Sequence, residues 1–127
     1  MITIFLIHRF ITSLVFTAVV ETAILLLIFK FIWKKPALDY KSIIFAGLFA
    51  SFATIPYVWF VFPYAYNWSP DASLVFSELF AFAVEAIFYR LFLKISWRTA
   101  FVASFCGNAA SYFGGPFLRS YGIWIYW

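Results

Sequence analysis

Four long apolar stretches, roughly 10–32, 42–62, 72–92 and 99–118, dominate the chain, and each is broken at helical spacing by small or polar residues. A helix needs about 20 mostly apolar residues to cross the hydrocarbon of a bilayer, and each stretch supplies them. The interruptions fall three and four residues apart, which places them on one face of a helix. They are Ser13, Thr17 and Glu21 in the first stretch, and Gly47, Ser51 and Thr54 in the second. The third has Glu78, Ala81 and Glu85, bordered by Ser77, and the fourth has Ser104, Asn108, Ser111 and Gly115. A polar side chain in hydrocarbon is costly and turns toward the bundle interior. The pattern therefore predicts an all-α, polytopic membrane protein. Four transmembrane helices turn polar stripes toward one another and present Phe, Leu and Ile to lipid.

Composition supports this. Apolar residues make up 66% of the 127 and charged residues 11%, whereas a soluble domain carries about 25% charged residues. A water-soluble fold of this length could not hide the excess. The four spans leave short connections and ends, so a single domain, 1–127, is expected, with no room for a soluble one. The first stretch reads as a permanent helix rather than a cleaved signal, because its apolar run is long and Lys30, Lys34 and Lys35 follow it instead of preceding it.

The two halves resemble each other. Val20-Glu21 matches Val84-Glu85 at an offset of 64, and Lys30 falls on Lys94 at the same offset. At an offset of 57, Ala46 falls on Ala103, Ser51 on Asn108, Ala53 on Ala110 and Thr54 on Ser111. The expectation is two repeated helical hairpins, about 10–62 and 72–118, related by an axis along the membrane normal because each has an even number of crossings.

Charge sets the expected orientation. Lys30, Lys34, Lys35, Lys41, Arg90, Lys94 and Arg98 cluster about the two hairpin turns, against Arg9 and Arg119 at the other side. Cytoplasmic loops carry the excess of Lys and Arg, so both turns are expected inside and both termini outside, in a cell membrane of prokaryotic type. Tyr64, Tyr66, Trp68, Tyr121, Trp124, Tyr126 and Trp127 would form an aromatic belt at the outer interface, with a thinner one of Trp33, Tyr40 and Trp97 inside. Asn67-Trp68-Ser69 matches a glycosylation acceptor by chance, since Pro70 follows and nothing else implies a secretory origin. Pro56 is expected to bend the second helix, and Gly114-Gly115-Pro116 to kink or end the fourth. Ala103, Gly107, Ala110 and Gly114 form a small-residue face that lets helices approach closely.

The candidate site consists of Glu21, Glu85, Asn108, Ser51, Ser111 and Glu78. No Lys or Arg lies at the depth of Glu21, and Arg90, five residues beyond Glu85, can reach the surface. Carboxyls so placed are expected to keep their protons unless water or a cation reaches them. An intramembrane ionisable group is a functional hypothesis by default. Here that means a site for a proton, a cation or a small polar solute in half of a dimeric carrier or channel. The alternative is a structural or accessory subunit of a larger membrane complex, with Glu, Asn and Ser as interhelical clamps. Such bonds contribute about 0.6 kcal/mol on average, little against the cost of inserting a Glu.

No enzyme is expected. The single histidine, His8, sits at a helix edge, and there is no Ser-His-Asp set, histidine pair or phosphate loop. No cofactor or metal is expected. Cys106 reads as a packed, inert thiol. The partners expected are the lipid bilayer and a second copy or larger membrane assembly, with no nucleic acid, because the positive charges lie at helix ends.

Overall fold

A computed structural model describes residues 2–65 and 68–123. Its elements are α1 (Ile2–Leu26), continued by a π-helical segment (Leu27–Ile32), then α2 (Tyr40–Phe60), α3 (Pro70–Phe92) and α4 (Trp97–Ser120). The described residues contain no strand. The expected aromatic and glycosylation positions Tyr66, Asn67, Trp124, Tyr126 and Trp127 lie outside the described residues.

Local chemistry explains the boundaries. Asp39, Ser69 and Ser96 cap α2, α3 and α4, each side chain accepting an amide hydrogen bond at 3.2 Å from Ser42, Ala72 and Thr99 respectively. Such caps satisfy backbone donors left open at a helix start, and Pro70 suits the first turn of α3 because it needs no amide partner there. Lys34, after the π segment, and Lys94, after α3, take left-handed φ values of 47° and 54°, the conformation that turns a chain away from a helix end.

The structure corrects the sequence reading at three places. α1 begins at Ile2 rather than near residue 10, so His8 and Arg9, which break the apolar run, are helical. Gly114-Gly115-Pro116 does not end α4, which continues to Ser120, just as α2 runs through Pro56 to Phe60. Finally, Lys30 and Lys94 are not structural equivalents. Lys30 lies inside the π segment, its Nζ bonding the Leu38 carbonyl and sitting 4.6 Å from the Tyr40 ring, whereas Lys94 is past the end of α3. The π segment carries the first helix further beyond Glu21 than α3 extends beyond Glu85.

Four helices joined by short connections form a ring: α1 packs on α2 and α4, and α3 packs on α2 and α4. α1 with its π extension, α2 and α3 are long and apolar enough to cross a membrane. α4 is as long, at 24 residues, but richer in Ser, Asn and Gly. Its polar face is turned inward, with Ser104, Gly107, Ser111 and Gly115 buried, so it forms the fourth wall of the bundle. Outward are large apolar side chains such as Phe5, Phe31, Phe105 and Phe113, all more than half exposed.

The interior is layered. Near the hairpin turns it is apolar: Leu25, Phe29, Ile43, Ala46, Tyr89 and Ala100 are buried in one cluster. Above that plug the core becomes polar. Ser13, Thr17, Glu21, Ser51, Thr54, Ser77, Glu85, Ser104 and Ser111 are all buried. The stripes on α1 and α2 match the reading from spacing, and on α4 Ser104, Ser111 and Gly115 are buried while Asn108 is half-buried. The α3 stripe does not match in full: it runs through Ser77, Ala81 and Glu85, while Glu78 is half-buried. Seven residues fall about 20° short of two helical turns, so Glu78 stays on the Glu85 side of α3 but lies at the edge of the buried stripe, beside the α3–α4 seam.

Candidate functional site

Glu21 and Glu85 lie on facing walls of the ring, each 1% exposed. Gly107 packs against Glu21: a methyl group built on it would lie 3.6 Å from the Glu21 Cγ, an ordinary contact. Ala81 and Ala86, both buried, flank Glu85 on α3.

All four carboxyl oxygens accept hydrogen bonds. Ser51 Oγ donates to Glu21 Oε2 at 2.6 Å, and Ser111 Oγ donates to Glu21 Oε1 at 3.2 Å. Thr54 Oγ1 donates to Glu85 Oε1 at 3.1 Å, and Asn108 Nδ2 donates to Glu85 Oε2 at 2.5 Å. Each carboxyl thus takes one donor from α2 and one from α4. For Glu21 the donor within its own hairpin is Ser51 and the donor across the seam is Ser111. For Glu85 they are Asn108 and Thr54.

The hydroxyl donors have a second acceptor within reach. Ser51 Oγ lies 3.0 Å from the Gly47 carbonyl, Thr54 Oγ1 3.0 Å from that of Ala50, and Ser111 Oγ 3.0 Å from that of Asn108. A hydroxyl has one proton and two acceptor lone pairs. Each can therefore turn its proton to its own helix and accept from a protonated carboxyl, with no group left unsatisfied.

The polar interior extends beyond the two carboxyls. Asn108 Nδ2 also lies 3.0 Å from the Ser104 carbonyl, and Ser104 Oγ donates to the Phe82 carbonyl at 2.8 Å. On α1, Thr17 Oγ1 is buried with no hydrogen-bond partner among the described residues, and Ser13 Oγ accepts from Trp59 Nε1 at 3.3 Å. Ser13, Thr17 and Glu21 thus line the inner face of α1 from the termini end to the middle of the bundle.

Five of the six residues expected from sequence, Glu21, Glu85, Asn108, Ser51 and Ser111, meet in this network. Among the described residues, Glu78 does not join it by a hydrogen bond. It lines a groove of about 620 Å³ between α3 and α4 whose wall also includes Asn108. Thr54 was legible as a stripe residue but not as a carboxylate partner, although its match to Ser111 at an offset of 57 carried that signal. Cys106 is half-buried against the apolar cluster. Arg90 lays its guanidinium 5.8 Å from the centre of the Trp97 ring, toward the bundle end.

Comparison of the chain with protein-family models, with characterised proteins and with solved structures gives no match.

Proposed function

We propose that this chain is a small membrane carrier that binds and releases protons at Glu21 and Glu85 and works as one half of a dimer. The observation that carries this reading is the set of switchable donors. Three hydroxyls hold the carboxyls, and each has a backbone carbonyl at 3.0 Å to turn to instead. A carboxyl in such a cradle can gain or lose a proton without stranding a buried polar group, the usual large cost of such a change.

The cradle also ties protonation to shape. The bonds from Ser111 to Glu21 and from Thr54 to Glu85 cross from one hairpin to the other. A proton arriving at either carboxyl alters a bond in that seam. Carriers built from repeats move one repeat against the other around a site at their interface. The pairing of donors supports such a repeat here. Exchanging the hairpins takes Glu21 to Glu85, Ser51 to Asn108 and Ser111 to Thr54, and the caps Asp39 and Ser96 correspond at the same offset of 57 as the helices they start. The apolar plug of Leu25, Phe29, Ile43 and Tyr89 closes the hairpin-turn side, while the groove at Glu78 lies above it. The balance of seven Lys and Arg against two favours a cytoplasmic location for the turns. Four helices enclose little volume, which favours a dimer.

A second reading has its own support. Both carboxyls are fully satisfied by donors from neighbouring helices, as interhelical clamps in an accessory subunit of a larger membrane complex would be. Proton uptake into vesicles carrying the purified protein, driven by an imposed pH gradient, separates the two. On the carrier reading, Glu21→Gln and Glu85→Gln stop the uptake while expression and thermal midpoint stay near those of the parent chain. Variants that lower stability and leave uptake intact would establish the clamp instead.

A further inference from the structure

The α3–α4 groove presents a chemical mismatch. Its walls are hydrocarbon, including Leu74, Phe82, Phe105 and Phe113, and its volume of about 620 Å³ lies in the range of about 300–1,000 Å³ of small-molecule sites. Yet Glu78 opens into it. Among the described residues Glu78 accepts no hydrogen bond and forms no ion pair, and no Lys or Arg lines the groove. This contrasts with Glu21 and Glu85, whose oxygens are all satisfied. A carboxyl facing hydrocarbon is costly and is retained where a partner meets it.

We infer that the groove binds a lipophilic cation: a molecule with one positive centre, placed against Glu78, and apolar groups packed on the Leu and Phe walls. Charge complementarity selects this occupant. An acyl chain would cover the walls and leave the carboxyl unmet. An anion would find no Lys or Arg in the lining to pair with. A small hydrated cation would gain nothing from aromatic walls, whereas a bulky organic cation is attracted to ring faces as well as to the carboxyl. The positive centre would sit near Asn108, which lines the same groove and donates to Glu85. Binding there would thus act on the proton site through one residue. That consequence rests on the carrier reading, but the binding itself does not.

The test uses the full chain in nanodiscs of zwitterionic lipid, with tetraphenylphosphonium as the cation and triphenylphosphine as a neutral analogue of similar shape. The parent chain is expected to bind the cation at least about tenfold more tightly than the neutral analogue, a discrimination of about one decade in the dissociation constant. Glu78→Gln should lose that preference, Glu78→Asp should keep part of it, and Phe113→Trp, which narrows the groove and leaves Glu78 in place, should weaken binding. Equal affinity for the two probes, or unchanged cation binding by Glu78→Gln, overturns the inference. So does efficient cross-linking between copies through Leu79→Cys in the native membrane, which would assign the groove to a second chain. The binding measurement requires no proton movement, so failure here and failure of proton uptake are read separately.

Discussion

Ser111 of α4 donates a hydrogen bond to Glu21 of α1 at 3.2 Å, joining the two ends of the chain across the bundle. Ser51 binds the other oxygen of the same carboxyl from within the hairpin. Replacing Ser111 by Ala leaves Glu21 Oε1 buried without its donor, and an unsatisfied buried acceptor costs about 1–3 kcal/mol. Ser111→Ala is therefore expected to lower unfolding stability in detergent by about 1 kcal/mol or more. Ser111→Thr, which keeps a hydroxyl, should lose less. Equilibrium unfolding followed by circular dichroism checks both, and equal losses would mean that the hydroxyl is not the operative group.

Two glycines make opposite predictions. A Cβ added at Gly47 would lie 2.9 Å from the Thr22 Cα, a backbone atom that cannot swing away. At Gly107 the nearest atom would be the Glu21 Cγ at 3.6 Å, an ordinary contact. Gly47→Ala should thus push α1 and α2 apart and cost about 1–3 kcal/mol, the usual range for overpacking. Gly107→Ala should be neutral or mildly stabilising, because Ala is the better helix former by up to about 1 kcal/mol. Parallel thermal melts of the two variants decide the matter.

How much of this was legible in the sequence follows from which forces act locally. The number of helices came from the apolar runs, and the inward faces of α1, α2 and most of α4 from polar spacing, because hydrocarbon punishes any outward polar group. Ser51 and Ser111 were named beside Glu21 for that reason. The start of α1 was missed because His8 and Arg9 interrupt the apolar run, although a charged residue near a membrane surface does not stop a helix. Glu78 was placed with Glu85 by a spacing of seven, yet seven residues fall short of two full turns, and it was the packing of α4 against α3 that turned Glu78 to the seam. The π segment after Leu26 has no signature in residue type.

The helix caps predict a pH dependence away from the membrane core. The Ser42 side chain first, and then its amide, hydrogen-bond the Asp39 carboxylate and hold its pKa below the ordinary value of 3.8, and nearby Lys30 adds in the same direction. A group whose pKa is depressed in the folded state stabilises above its unfolded pKa and loses that contribution as pH falls through the folded value. The stability difference between the parent chain and Asp39→Ala should therefore be constant at neutral pH and shrink below about pH 4. Ser96 caps α4 in the same way with a hydroxyl that does not titrate. Ser96→Ala should cost about 1 kcal/mol at every pH. Melts of both variants from pH 3 to 7 check the contrast, and a Ser96→Ala loss that tracks pH like that of Asp39→Ala would refute it.

The contact between Asn108 and Glu85 offers the sharpest test of the donor arrangement. Asn108 Nδ2 donates to Glu85 Oε2 at 2.5 Å, and the same nitrogen reaches the Ser104 carbonyl at 3.0 Å. Asn108→Asp removes that donor and sets a second carboxyl against the first, so both must compete for the few remaining donors. The single variant should lose several kcal/mol, since it leaves buried polar groups unpaired and places like charges together. Adding Glu85→Gln to Asn108→Asp restores one donor and one acceptor across the same contact with little change in volume. The double variant should recover much of the loss, with a coupling of about 1–3 kcal/mol in a double-mutant cycle. Additive losses would mean that the two side chains do not meet across the α3–α4 interface. If the double variant also regains stability but not proton uptake, the carboxyl on α3 is needed for its titration and not for its fold, which is what a carrier requires and a clamp does not.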